Sequence, residues 1–414
     1  MHYRSEQRFF EIYGKEPDGM AFCPQRVVPV GAHSDYGLGK STGFALDKGI
    51  RLAYRHKTNG VVELVSFQFD KRAQWHIAST PETPQLDWAD YLRGATIALA
   101  KKYPLRVGLS GVINGSLPIG GLSSSAAVTI VFLTALAKVN NIELTRQEII
   151  DMALSGEKDY VGVNVGKNDQ ACEVYSKKDH LVLIDNKDDS FKLIPTSPMM
   201  KPYEFAIFFS GLERNLSGTN LNMRVDELRS AAYALKAFAG MEYGKYKDTN
   251  TRDVPREIFE QYKHKLPENW RKRAEHWYTE QERVELAAEA WSRGDIEAYG
   301  RLSFESGKSS IENWETGCPE LIALYNILCY GTANPENLSP STEGVGEGLG
   351  SLPGVYGGRF SGAGFKGCCV AVIDPAYRES IIEKVTTEYL KVFPDLEGKY
   401  KAIICHSADG VGLL

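Results

Sequence analysis

The chain has 414 residues, of which 43% are apolar and 24% charged, with a formal net charge of −5. That length suits two domains better than one core, and the mild acidity gives no footprint for nucleic acid or an anionic membrane. No run is long and apolar enough to span a bilayer, and the opening MHYRSEQRFFEIYG lacks the apolar centre of a signal peptide.

Residues 1–20 read as a helix and a loop. Phe22 to Val30 (FCPQRVVPV) reads as a β-rich run with one charge, Arg26, in its middle. A lone arginine inside a core needs a partner. The following GAHSDYG (Gly31 to Gly37) places His33, Ser34, Asp35 and Tyr36 in one short loop. Such a set can hydrogen-bond a polyhydroxy ligand, and it can equally form a capped turn. Gly37 to Thr42 (GLGKST) imitates the end of a P-loop, but the position that would hold the first glycine is Ser34. Phe44, Leu46 and Ile50 point to a turn entering a strand there.

Gly43 to Arg55 and Val61 to Phe69 predict strands, with Trp75 to Ile77 as a third candidate. Asp87 to Tyr103 predicts an amphipathic helix with Trp88, Tyr91, Leu92, Ala95 and Leu99 on one face. Leu105 to Val112 predicts a strand leading into Leu117 to Val128, LPIGGLSSSAAV. After its serines the apolar residues recur at helical spacing: Val128, Ile130, Val131, Leu133, Leu136. A glycine turn feeding a helix N-terminus is an anion site, because free backbone N–H groups and the helix dipole point at the ligand. Serine hydroxyls there can bond phosphate oxygens or ligate Mg²⁺. A serine-capped loop before a core helix explains the same residues.

Thr145 to Gly156 predicts a helix opened by a capping box of Thr145 and Glu148. Val161 to Gln170 (VGVNVGKNDQ) reads as a loop, Leu181 to Asp185 as a strand and Pro195 to Pro202 as a linker. In the second half, Phe205 to Ser210 predicts a strand and Met223 to Phe238 a long helix. Residues 240–275 are charged and broken by proline, which suggests surface structure. Arg273 to Arg293, Asp295 to Ser306 and Cys318 to Leu328 predict helices. Glu343 to Gly367 is glycine-rich, and then come a strand (CCVAVID), a helix near Tyr377 to Tyr389 and a last strand (AIICHSA). The seven cysteines are scattered and form no C-x-x-C pair, which fits buried, reduced thiols in a cytoplasmic protein. The eight histidines show no zinc-site spacing.

RVVPVGAHSDY, LPIGGLSSSAA and GGRFSGAGFKGCCVAV resemble, in order and spacing, the three motifs of the GHMP sugar and mevalonate kinases. The chain is most similar to the galactokinase branch. Supporting stretches are Trp88, Tyr91 and Gly94; Gly166, Asp169 and Gln170; RAEHWYTEQERV from Arg273; and ETGCPEL from Glu315. The resemblance implies an α+β fold of two lobes. Residues 1–203 would form a lobe like ribosomal protein S5 domain 2, binding ATP and sugar, and 204–414 a ferredoxin-like lobe.

It also implies an ATP- and Mg²⁺-dependent sugar-1-kinase that phosphorylates the C1 hydroxyl of a galactose-type sugar, with no obligate protein partner. Asp169 would be the catalytic base and Arg26 the cation facing it; Arg26 would also serve as a buried structural ion pair. Glu157 and Ser125 would share the metal. Pro118, Gly120, Gly121, Leu122, Ser123, Ser124 and Ser125 would bind ATP, while His33, Asp35, Ala32 and Gly166 would line the sugar site. Gly362, Gly364 and Phe365 would support the cleft.

Three departures bear on specificity. Galactokinases carry glutamate where this chain has Ala32, facing the sugar's C6 hydroxyl. Alanine removes repulsion toward a C6 carboxylate, the change seen in galacturonate kinases, so D-galacturonic acid is the favoured substrate and D-galactose the alternative. Leu221 stands where a sugar-contacting tyrosine is usual, and Lys366 is either a cation for an acidic substrate or an exposed lysine. A non-catalytic sugar and ATP sensor is a further alternative, against which the retention of Asp169, Arg26 and Glu157 argues.

Overall fold

The computed structural model describes residues 5–163, 165–212, 220–334 and 352–414. The first half runs α1 (Ser5–Tyr13), β1 (Gly19–Val27), β2 (Lys40–Lys57), β3 (Val61–Ser66), β4 (Lys71–His76), α2 (Asp90–Lys102) and β5 (Gly108–Gly115). It continues with α3 (Ser124–Val139), α4 (Arg146–Ser155), α5 (Asn168–Tyr175), β6 (His180–Asp185) and β7 (Phe191–Pro195). The second half runs β8 (Glu204–Phe209), α6 (Leu221–Phe238), α7 (Arg256–Tyr262), α8 (Glu268–Arg293), α9 (Ile296–Glu312) and α10 (Pro319–Tyr330). It closes with β9 (Val355–Phe360), β10 (Cys368–Ile373), α11 (Arg378–Val392), β11 (Lys401–Cys405), β12 (Ser407–Ala408) and β13 (Gly412–Leu413).

The first sheet has the order β13-β1-β2-β5-β3-β4, with β6, β7 and β12 attached through β2. Its pairs are antiparallel except β3 with β5. β2 is long enough to serve two partners in turn: Lys40–Gly43 pairs β6, and Ile50–Lys57 pairs β5. The GLGKST segment therefore enters a strand and does not cradle phosphate; the Lys40 ammonium bonds Glu285 at 2.6 Å. The apolar faces of α2 to α5 cover one side of the sheet through Leu92, Leu99, Ile130, Phe132 and Leu133. Phe9 of α1 covers part of the other side with Ala53 and Val112.

The second sheet is ordered β11-β8-β10-β9 and is antiparallel throughout. Strands one to four of this unit thus lie in the order 4-1-3-2, with helices between the first and second and between the third and fourth, which is the ferredoxin-like arrangement. One apolar cluster joins the two sheets. Phe44 of β2 lies 4.9 Å from both Phe205 of β8 and Trp291 of α8, all three fully buried. Truncating such a residue costs about 3–5 kcal/mol, so this seam holds the halves in one register. The chain's end reinforces it, since β12 and β13 return to pair with β2 and β1.

Four expectations change. Asn168–Tyr175 is a helix, so Asp169 stands in a helical first turn and not in a loop. That helix is buried nearly all round and offers no polar face for periodicity to reveal. The helix from Arg146 keeps its capping box but runs on through a π-turn, Gly156–Val161. Residues 240–275 are not simply surface: Val254, Phe259, Leu266 and Ala274 are buried with α6 and α8. The glycine-rich run holds β9 at its centre, while its first residues, 343–351, lie outside the described residues. Among the described residues no helix is long and apolar enough to cross a membrane, and the seven cysteines are free thiols.

Candidate active site

A cleft between the two sheets gathers most of the residues singled out from sequence. Arg26, at the end of β1, is its anchor. Pairing of β1 with β2 shifts register between Pro24 and Arg26. Neighbours on a regular strand point to opposite faces, but this irregularity lets Gln25 and Arg26 reach the same loop. Gln25 donates to the Ser124 hydroxyl at 2.7 Å, and Arg26 Nη1 donates to the Gly121 carbonyl at 3.0 Å. Arg26 Nε and Nη2 both meet Asp169 Oδ1 at 2.7 Å. Asp169 Oδ2 accepts from Ser123 at 2.8 Å. The arginine side chain is 4% exposed and the aspartate 36%, so the carboxylate faces the cleft while its cation sits behind it. Burial disfavours the guanidinium's charge, but Asp169 outweighs that and holds Arg26 above its usual range.

The turn before α3 has the conformation its glycines permit. Gly120, Gly121 and Ser123 have φ of +136°, +80° and +63°. The third motif packs glycine on glycine against it: a Cβ on Gly362 would lie 2.9 Å from Gly121 Cα, and one on Gly367 2.6 Å from Gly120 C. This contact brings the second sheet's β9–β10 connection onto the N-terminus of α3. Ile119, Gly120, Gly121 and Ser123 to Ser125 line the cleft. Pro118 and Leu122 do not; Leu122 is buried in the core shared by the two sheets. Gly364 is buried against Phe360, and Lys366 is exposed and outside the lining.

Glu157 projects from the π-turn, a distortion that often marks functional positions. It is 2% exposed and accepts from Gln170 at 3.0 Å and Ser125 at 3.4 Å. Gly94 of the W-x-x-Y-x-x-G stretch makes this placement possible, because a Cβ there would lie 2.8 Å from the Gly156 carbonyl. Two hard oxygens about 3 Å apart suit neighbouring positions on one octahedral Mg²⁺. Among the described residues no group of three or more His, Cys, Asp or Glu side chains could hold a metal. A cation at Ser125 and Glu157 would leave its other positions to a ligand's oxygens and water.

The opposite wall is the loop after β1. The RAEHWYTEQERV stretch, on α8, pins it. The Gly31 amide donates to Glu280 at 2.6 Å, His276 Nε2 meets the Ala32 carbonyl at 3.0 Å, and Trp277 donates to the Ser34 carbonyl at 2.9 Å. A carbonyl only accepts, so His276 carries its proton on Nε2, and Nδ1 accepts from Ser309. Burial, against the pull of Glu280, lowers His276 to about 4. His33 sits in the left-handed region (φ +65°) with its ring stacked on Trp314, centroids 5.0 Å apart. Its Nε2 is buried without a hydrogen-bond partner. Burial lowers its pKa well below the usual range, so the ring is neutral. Asp35 accepts from the Asn168 amide at 3.3 Å. Burial first, and then Asp169, push Asp35 up to about 6. Gly166 packs directly against that carboxylate, where no side chain fits. Ala32 and Leu221 complete this wall.

Arg359 is a second fully buried guanidinium on the lining, bonded to Ser306, Ser310 and the Phe360 carbonyl. Burial lowers it to about 10, with Glu280 opposing. Sequence reading missed Gln25, Trp314 and the Glu280–Arg359 pair as parts of the site. The α8 stretch was visible as a motif, but which loop it grips depends on α8 packing against β2, β6 and β7.

The arrangement has a glycine turn at a helix N-terminus, a reachable carboxylate with its own cation, and a wall of hydrogen-bonding side chains. The model of the GHMP kinases N terminal domain matches residues 90–177, which include the turn, Glu157 and Asp169. The chain is 34% identical to a galacturonokinase of Arabidopsis thaliana over 95% of its own length and 92% of the relative's. It is 29% identical to a galactokinase of Roseiflexus sp. (strain RS-1), covering 98% and 95%. In fold it matches Lactococcus lactis galactokinase complexed with galactose, with a TM-score of 0.83, 22% identity and coverage of 99% and 98%. Methanococcus jannaschii mevalonate kinase shares the fold at a TM-score of 0.64 and 14% identity, covering 94% and 98%.

Proposed function

Because this chain belongs to the GHMP kinases, on their galactokinase branch, and is an ATP-dependent sugar-1-kinase, we propose that its substrate is D-galacturonic acid. The observation that supports this most is Ala32. It lines the cleft with a methyl group, on a backbone fixed by His276. A glutamate there would face a C6 carboxylate, and two such charges at 4 Å repel by about 4 kcal/mol in a partly buried site. The Arabidopsis relative's name points the same way.

In this reading His33, Asp35 and Gly166 hold the sugar so that its C1 hydroxyl meets Asp169. That carboxylate takes the hydroxyl proton as the C1 oxygen bonds the γ-phosphorus and the bond to the bridging oxygen of ADP breaks. Ser123 orients Oδ2 for this, and Arg26 keeps the carboxylate ionised while tying it to the turn that binds the phosphates. Ser125 and Glu157 would hold Mg²⁺, which when bound offsets charge on the phosphate oxygens. In this reading residues 1–203 are the nucleotide and sugar lobe and 204–414 the second lobe, which lends Arg359 and the α8 clamp and whose last strands return to the first sheet. The free thiols suit a cytoplasmic enzyme.

The test is phosphorylation of galacturonate, galactose and L-arabinose with Mg²⁺-ATP. The expected order of kcat/KM puts galacturonate first; a clear preference for galactose replaces the substrate and leaves the chemistry intact.

A further inference from the structure

Glu173 is a buried acid that the chemistry proposed above does not use. It lies one helical turn beyond Asp169 on α5, on the same face. Its side chain is 0% exposed. Oε2 meets the Cys23 thiol of β1 at 4.0 Å, and Oε1 has no hydrogen-bond partner. Other buried acids here are well held: Asp90 by Arg93, Glu227 by Arg273, Glu280 by Arg283, the last two at 2.6 and 2.7 Å. A buried carboxyl so poorly satisfied is costly to keep. The cation facing it is Arg26, whose three donor nitrogens are directed at Asp169 and Gly121. Two carboxyls one turn apart thus face one guanidinium.

We propose that Glu173 is a positioning residue for phosphoryl transfer, holding the Arg26 guanidinium between Asp169 and the phosphate turn. The proposal rests on the kinase reading. The groups that face Glu173 are Asp169 and Cys172 on its own helix, Arg26 and Cys23 on β1, Glu157 on the π-turn and Ser123 on the phosphate turn. Burial, then the charge of Asp169, push its carboxyl well above the usual range, against Arg26. Neutral, Glu173 brings no charge to compete for the guanidinium and leaves it to Asp169. Ionised, it adds a second negative charge for one cation. Arg26 is then drawn off Asp169 and Gly121, and base and turn lose register together.

The readouts are kcat and KM of the full-length wild type, Glu173→Gln and Glu173→Leu from about pH 6 to about pH 10. With glutamine, kcat at pH 7 stays within about threefold of wild type and the alkaline decline moves up by at least about one unit. Thermal melts give a second readout. A carboxyl whose folded pKa lies above its ordinary 4.5 contributes stability that is complete below that value and lost as pH rises. The Tm advantage of Glu173→Gln over wild type therefore grows with pH. If the glutamine variant does not fold, infrared spectra of wild type decide: a buried carboxylic-acid carbonyl band at neutral pH, fading as activity falls, supports the proposal, and its absence overturns it. Coincident alkaline limbs in active enzymes overturn it too, as does a hundredfold loss of kcat at pH 7 with normal ATP affinity. A protein inactive on every sugar sinks the kinase reading instead, while the melts still report the proton on Glu173.

Discussion

The proposed phosphate end and the proposed sugar end of the cleft are built from different materials. At the phosphate end the contacts are backbone: Gly120 and Gly121 with positive φ, the N-terminus of α3, and glycines 362 and 367 pressed against them. At the proposed sugar end they are side chains: Ala32, His33 and Asp35 on a loop that α8 clamps through its backbone, and Leu221 at the start of α6. Every nucleotide triphosphate presents the same oxygens, so a backbone site has nothing to vary. A sugar wall made of side chains on a fixed loop changes its preference with one substitution. Arg26 and Asp169 join the two ends, since the arginine touches the turn and the aspartate opens to the cleft.

The largest effect is expected at that junction. Asp169→Asn should lower kcat by about 10²- to 10⁴-fold, the range for losing a general base, with the Kd for ATP nearly unchanged. An asparagine variant with near-wild-type turnover would remove Asp169 from the chemistry. Next is Gly362→Ala, which adds a methyl 2.9 Å from Gly121 Cα at a φ of +69°. It should cost about 1–3 kcal/mol of stability and raise the KM for ATP more than that for sugar; a rise confined to sugar would blur the two ends. Third, Ala32→Glu should lower the galacturonate-to-galactose ratio of kcat/KM at least about tenfold while leaving the KM for ATP alone. An unchanged ratio would mean that position 32 does not read C6. The smallest effect is a titration. Asp35, raised to about 6, accepts sugar hydroxyls best when ionised. The KM for sugar should thus rise a few-fold as pH falls through about 6, and Asp35→Asn should flatten that dependence.

The capping box of Thr145 and Glu148 was visible in sequence because a helix start is a local event, settled within four residues. The turn at Gly120 to Ser125 was visible for the same reason. The helix carrying Asp169 was not, because seven of its eight residues are buried, polar ones included, so no alternation of apolar and polar faces marks it. Nor was the π-turn that aims Glu157, which follows from α2 packing at Gly94 and not from the residues of the turn itself.

The sequence by itself determined the local pieces: where strands alternate, where helices begin, where glycine lets a backbone approach an anion, and that an arginine in an apolar run needs a carboxylate. Only the tertiary structure decided which carboxylate. Asp169 takes both bonds from Arg26, across 143 positions, while Glu173, one turn away, is left with an unpartnered oxygen. The physical reason is that a hydrogen bond is settled within 3 Å, and the packing of α5 against β1 sets those distances, which no residue's identity contains.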